Sequence, residues 1–221
     1  MLAAVIFDFD GIIVDSEPLH FDAFNEVLNP LGISMKWEDY CETYIGFDDR
    51  DAFKVVFKAN RRKVDPDEIP DLIQKKAAVF QRCIRNGAAR PLPGAVELIK
   101  SIPVRLPVGL CSGALRQDID PILAQLGIEG SFNAIVTAED TDISKPDPAP
   151  YLLALEKLGI DTPSSALAIE DTPAGIQSAK QAGLKVLAVT NSYDRDYLME
   201  ADGITDSLAN VTRPMLENLV L

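Results

Sequence analysis

Residues 5–17 read VIFDFDGIIVDSE, an apolar run that ends in two aspartates, Asp8 and Asp10, with only Phe9 between them. Successive strand residues point to opposite faces, so a strand carried through this stretch places both carboxylates on one side. Two carboxylates so close repel each other unless a cation lies between them or one keeps a proton. The arrangement costs too much for a plain strand end. It points to a metal, an acid–base pair, or both.

Working outward, short apolar runs recur at 2–9, 106–112, 133–139, 166–171 and 185–191. Most are nearly continuous in apolar residues, as in a parallel sheet covered on both faces. The segments between them read as helices with clear stops. In YLLALEKLG, Tyr151, Leu152, Leu155 and Leu158 form one face and Gly159 suits a left-handed stop. In DTPAGIQSAKQAG, Thr172 serves as N-cap, Pro173 as first helical residue and Gly183 as terminator. This alternation predicts an α/β fold with a doubly wound parallel sheet. The C-terminal ADGITDSLANV reads as a short edge strand and helix.

The first and second runs lie about a hundred residues apart, too far for a single crossover. Residues 18–31 have helical period, with His20, Phe24, Val27, Leu28 and Leu31 on one face, and amphipathic stretches follow near 49–60 and 66–86. RPLPGAVELIK (90–100) then returns through a Pro-rich turn. The expected organisation is a core of 1–14 and 89–221 with an inserted helical cap of 15–88, which closes over the site, excludes water and reads the leaving group.

Bulk properties narrow the function. The 221 residues are 47% hydrophobic and 25% charged, ordinary for a globular chain. Acids outnumber bases 34 to 21, for a formal charge of −13, which argues against a nucleic-acid partner. The three cysteines (Cys41, Cys83, Cys111) show no disulfide or zinc spacing. No apolar run approaches a membrane span, and the first residues do not read as a signal peptide. The expectation is a cytoplasmic, monomeric protein without a membrane partner.

Ligands of open α/β sheets sit beyond the carboxyl ends of the strands. At those ends the sequence offers Asp8 and Asp10, then Ser112 and Gly113, then Lys145 in SKPDP, then Glu170 and Asp171. Each alone has a structural explanation: turn aspartates, loop chemistry, a surface lysine, acids at a helix start. Brought to one crevice they supply carboxylates, one cation, and donors for phosphate oxygens. Hard oxygen ligands suit Mg²⁺ completed by substrate phosphate, and the lysine balances the charge left over. That composition is a phosphoryl-transfer site.

DFDGIIVDSE, CSG, SKPDP and IEDTPAGIQSAKQAG resemble the four ordered motifs of the haloacid dehalogenase-like hydrolase superfamily, and the DSE…H start with its helical insert is similar to the β-phosphoglucomutase and phosphoglycolate phosphatase branch. The resemblance implies Asp8 as nucleophile, forming an aspartyl phosphate, and Asp10 as general acid/base. It implies Mg²⁺ held by Asp8, the Asp10 backbone carbonyl and Asp171, with Glu170 beside them, and phosphate bound by Ser112, Gly113 and Lys145. Asp10 argues against dehalogenation, because the superfamily's dehalogenases lack an aspartate two places after the nucleophile.

Four residues are candidate cap contacts to substrate: Glu17, His20, Arg50 and Lys76. His20 lies with Phe24 and Val27, and Lys76 falls among Leu72, Ile73, Ala77 and Phe80; packing and snorkelling are the plain alternatives. A mutase needs a second cationic phosphate site in the cap. In YIGFDDRDAF the position of the mutase arginine carries Asp49, Arg50 follows one place later, and Ile45 stands where the mutase has a lysine. One residue turns a helical side chain by about 100°. SGALRQ offers Arg116 instead of the mutase's earlier lysine. These departures favour a Mg²⁺-dependent phosphomonoesterase acting on a small sugar phosphate or phosphoglycolate-like acid. The alternatives are a β-phosphoglucomutase-like mutase and a catalytically silent binding domain.

Overall fold

A computed structural model describes residues 1–45, 47, 49–86 and 89–221. The chain divides into two compact units, Met1–Asp15 with Arg90–Leu221, and Ser16–Ala89. In chain order the elements begin with β1 (Ala4–Phe7) and β2 (Val14–Asp15), followed by α1 (Glu17–Leu28), α2 (Trp37–Thr43), α3 (Asp49–Ala59) and α4 (Ile69–Arg85). The chain continues through β3 (Arg90–Pro91), α5 (Ala95–Ser101), β4 (Val108–Cys111), α6 (Arg116–Leu126), β5 (Ala134–Val136) and α7 (Ala149–Leu158). It ends with β6 (Ala166–Glu170), α8 (Pro173–Gln181), β7 (Lys185–Val189), β8 (Gly203–Thr205) and α9 (Arg213–Leu219).

The first unit is built on a six-stranded parallel sheet in the order β5-β4-β1-β6-β7-β8. From β1 the chain moves outward to β4 and β5, then crosses back to β6 and moves the other way. The order therefore reverses between β1 and β6, and the crevice at their carboxyl ends is the topological switch point. Every residue of β1, β4 and β6 is buried, which accounts for their unbroken apolar sequences. On one side Tyr151, Ala154 and Leu155 of α7 and Ile176 and Ala179 of α8 pack on Ile6, Cys111, Val136 and Ala168.

The strands are shorter than the apolar runs. β1 stops at Phe7; the Asp8 N–H still donates to Ile169 O at 3.0 Å, but Asp10 has left the sheet and makes an isolated bridge with Val14. Strand alternation therefore stops short of Asp10, which sits on the turn after Asp8, where its charge adds slightly to the field at Asp8. α8 starts as its sequence dictates, with Thr172 Oγ1 accepting from Gly175 N at 3.0 Å and Pro173 at its first position. Gly183 lies at φ +87°, in the left-handed region.

The helical period at 18–31 does not run to its end. α1 stops at Leu28, a short 3-10 turn spans Asn29–Leu31 around Pro30, and Leu31 is exposed. Leu152 also faces solvent, because Ala154 takes the buried position beside Tyr151 and Leu155. α2, only seven residues, was hidden by its length and is buried through Tyr40 alone. The expected cap boundary at 88 falls on residues outside those described.

Candidate active site

The switch point gathers Asp8, Lys145, Glu170 and Asp171 from three separate segments. Lys145 Nζ donates to Asp8 Oδ1 at 2.8 Å, to Glu170 Oε1 at 2.6 Å and to Cys111 O at 3.0 Å. An ammonium has three donors, and all three have acceptors here. One oxygen each of Asp8, Glu170 and Asp171 lies within 4.8 Å of the others, and all three residues are buried.

The two acids at the end of β6 have different surroundings. Glu170 Oε1 accepts from Lys145 and, at 2.7 Å, from the hydroxyl of Tyr151. Its Oε2 accepts from Asp171 N at 3.3 Å and Thr172 Oγ1 at 3.4 Å. Asp171 Oδ2 accepts from Ser192 Oγ at 2.5 Å, whereas its Oδ1 is buried with no hydrogen-bond partner among the described residues. A buried, unpartnered carboxylate oxygen beside two more buried acids is a donor set for a hard divalent cation, and the residues fit one.

Two glycines make room for this cluster. A Cβ on Gly11 would fall 1.8 Å from Asp171 Oδ2, and Gly11 also adopts φ +73°. A Cβ on Gly175 would fall 2.0 Å from Glu170 Oε2. Asn191 Nδ2 donates to Gly11 O at 2.7 Å, fastening the turn that carries Asp10. Asp10 itself is half-buried at the start of that turn.

At the end of β4, Ser112 is buried; its N–H donates to Val136 O at 2.9 Å and its Oγ accepts from Ala114 N at 2.9 Å. Gly113 is exposed, with nothing within 4 Å of where a Cβ would stand. Arg116 is exposed and paired with Asp120 at 2.7 Å, one turn along α6.

The charges depart from ordinary values for identifiable reasons. Burial, then the neighbouring Glu170, pushes the Asp8 carboxyl up to about 7, against the pull of Lys145. Burial, then Asp8 and Glu170, holds Asp171 well above the carboxylate range. Burial would lower Lys145, but Asp8 and Glu170 override it and keep the ammonium charged well above the lysine range. Burial, then Glu170, keeps the Tyr151 phenol protonated as a donor. Cys111 is a buried core thiol pushed up to about 12 by burial, consistent with packing rather than chemistry.

In the helical unit, Lys76 does not snorkel. Its residue is 3% exposed, and Nζ lies 2.6 Å from Asp49 Oδ1, 2.7 Å from His20 Nδ1 and 4.6 Å from the centre of the Phe24 ring. His20 stacks on Phe80 at 4.2 Å, and burial, then the Lys76 charge, keeps its imidazole neutral. Glu17 accepts from the Tyr40 hydroxyl at 2.5 Å, and Arg50 is exposed on α3. Gly46 and Asp48, from the same stretch as Asp49, lie outside the described residues.

Sequence reasoning missed Tyr151, Ser192 and Asn191 at the site, and Asp49 as the partner of Lys76. Ser192 and Asn191 follow the end of β7, so the rule that selected the other strand ends reaches them. Tyr151 carried a signal as the one polar-tipped side chain on the apolar face of its helix.

A sequence model described as "Haloacid dehalogenase-like hydrolase" matches residues 5–189. The chain is 28% identical over 225 residues to a phosphorylated carbohydrates phosphatase of Thermotoga maritima, covering 97% of this chain and all of that one. It is 30% identical over 190 residues to the fructose-1-phosphate phosphatase YqaB of Escherichia coli, covering 85% of this chain and 96% of the relative. Among solved structures, CbbY from Rhodobacter sphaeroides in complex with phosphate superposes with a TM-score of 0.85 at 25% identity, covering 95% of this chain and 96% of that one.

Proposed function

The chain belongs to the haloacid dehalogenase-like hydrolases, and from that premise we propose that it is a Mg²⁺-dependent phosphomonoesterase acting on a small phosphorylated metabolite. The single observation that carries the reading is the Lys145 ammonium shared between Asp8 and Glu170, beside the unpartnered Oδ1 of Asp171. Three acids facing one lysine would carry an excess of negative charge once all are ionised, and that state suits a divalent cation paired with a phosphate dianion.

In this reading Asp8 is the nucleophile. Its free carboxylate oxygen attacks phosphorus, the ester P–O bond breaks, and the phosphoryl group resides on Asp8 as an aspartyl phosphate. Asp10 gives a proton to the leaving alkoxide, then removes one from the water that hydrolyses the acyl phosphate. Lys145, Ser112 and the Gly113 N–H bind the phosphoryl oxygens. Mg²⁺ would be held by Asp8, Asp10 and Asp171, with Glu170 beside them, and would neutralise phosphate charge that otherwise repels the nucleophile.

We assign the substrate class to sugar phosphates, with phosphoglycolate-like acids as the neighbouring class; the carbohydrate phosphatases among the relatives support this choice. The helical unit serves as cap, with Glu17, His20, Arg50 and Lys76 as its candidate substrate contacts. Its buried cation is already balanced, since Lys76 is paired with Asp49. That pairing supports hydrolysis of a monophosphate over a mutase that must anchor a second phosphate. The protein is read as cytoplasmic; among the described residues no helix is long and apolar enough to cross a membrane.

The test is Mg²⁺-dependent phosphate release from phosphoglycolate, pentose and hexose phosphates, and β-glucose 1-phosphate with and without its bisphosphate. Turnover of a sugar phosphate, reduced at least a thousandfold in Asp8→Asn, is the expected result. Isomerisation of glucose 1-phosphate without net phosphate release overturns it in favour of the mutase.

A further inference from the structure

We propose that Tyr151 is a positioning residue of this site, its hydroxyl fixing Glu170 so that the Lys145 ammonium stays shared with Asp8. The inference rests on the phosphatase reading above and adds to it a residue that touches neither phosphate nor nucleophile.

Tyr151 lies in the first turn of α7, six residues beyond Lys145, and is fully buried among Ile6, Cys111, Val136 and Leu155. A buried phenol needs a partner, and a backbone carbonyl would serve. Instead the hydroxyl donates at 2.7 Å to Glu170 Oε1, the oxygen that also accepts from Lys145 at 2.6 Å. The ring presents itself to the same ammonium, with Nζ 5.1 Å from its centre. One side chain therefore touches both members of the Glu170–Lys145 pair.

The consequence follows from what else restrains Glu170. Among the described residues its Oε2 has only long contacts, 3.3 Å to Asp171 N and 3.4 Å to Thr172 Oγ1. Gly175 gives it space rather than a lock. The short bonds to Oε1 therefore set the carboxylate's orientation, and Tyr151 supplies the neutral one. Without that hydroxyl, Oε1 has a single short donor, and the carboxylate is free to follow Lys145 and draw it from Asp8. Lys145 then meets an incoming phosphate from the wrong place, or later in the reaction.

Tyr151→Phe keeps the ring and the packing and removes only the oxygen. On the Mg²⁺-loaded full chain, inorganic phosphate binding measured by titration calorimetry should weaken about tenfold, and kcat should fall about tenfold, the scale of a bond to a charged group after the site readjusts. A merely structural hydroxyl predicts a lower Tm with phosphate Kd and kcat unchanged, and that result overturns the proposal. A cycle with Glu170→Gln tests the route: Tyr151→Phe should add little in the Gln background, whereas an equal loss in both backgrounds also overturns it. If Tyr151→Phe accumulates poorly, Tyr151→Met, an adaptable apolar side chain no larger than the tyrosine and without an O–H, reads the same phosphate Kd. Wild-type protein that neither binds phosphate nor releases it from any ester overturns the phosphatase reading itself, a result separate from the behaviour of the variants.

Discussion

Asp8 holds a proton at a pH where an ordinary aspartate has lost it. Its carboxyl moves from 3.8 to about 7, through burial first and Glu170 second. The sign follows from proton counts: between those values the folded chain binds more protons at Asp8 than the unfolded chain does, so this group's effect on stability grows less favourable as pH rises through the window. Asp8→Asn removes the charge and keeps the shape. In metal-free buffer at pH 8 the Asn variant should be more stable than wild type by about 1–3 kcal/mol, the gap closing toward pH 4, as read by urea unfolding at both pH values. A gap that stays constant with pH would show that Asp8 carries no unfavourable charge. The same residue that costs stability is the proposed nucleophile, and burial that makes it costly also strips it of competing water.

At the scale of elements, the site depends on how α8 begins. Thr172 caps the helix through Gly175 N and reaches Glu170 Oε2 with the same hydroxyl oxygen. Thr172→Ala should cost about 1 kcal/mol of stability, measured as a lower urea midpoint at unchanged slope. No change in midpoint would mean that the first turn is held by packing alone. This helix was legible in full: Thr172, Pro173 and Gly183 are local signals acting over one turn. α2 and the end of α1 were not legible, because a seven-residue helix has too few turns for a period and Pro30 overrides the apolar pattern that continues to Leu31. The sequence sets Lys76 among the apolar residues of its helix, but its partner Asp49 lies on a different helix, and no spacing rule pairs α3 with α4.

For the whole chain, β2 and β3 pair within the sheet unit, on either side in sequence of the inserted helical segment. Val14 is opposite Pro91 and Asp15 opposite Arg90, antiparallel, so the chain leaves and re-enters the sheet unit at adjacent points. Partners this close can be joined by a two-residue hairpin loop. Replacing Ser16–Ala89 with Asn-Gly should leave a core that keeps its α/β circular dichroism and unfolds in one cooperative step, since all six strands of the main sheet lie outside the excised segment. A non-cooperative melt would show that the sheet unit needs the helical one to fold.

The sheet, the order of its polar strand ends, and Asp8, Lys145, Glu170 and Asp171 as one cluster were written in the sequence. These follow from apolar runs, helix stops and the rule that open parallel sheets present their strand ends to one edge. The packing of distant segments set which of those residues bond to which. It gave Lys145 to both Asp8 and Glu170, left Asp171 Oδ1 unpartnered, and brought in Tyr151 and Ser192. The physical reason is range: helix caps and strand periods act over a few residues, whereas a buried hydrogen bond is set by distances of a few ångströms between segments far apart in the chain.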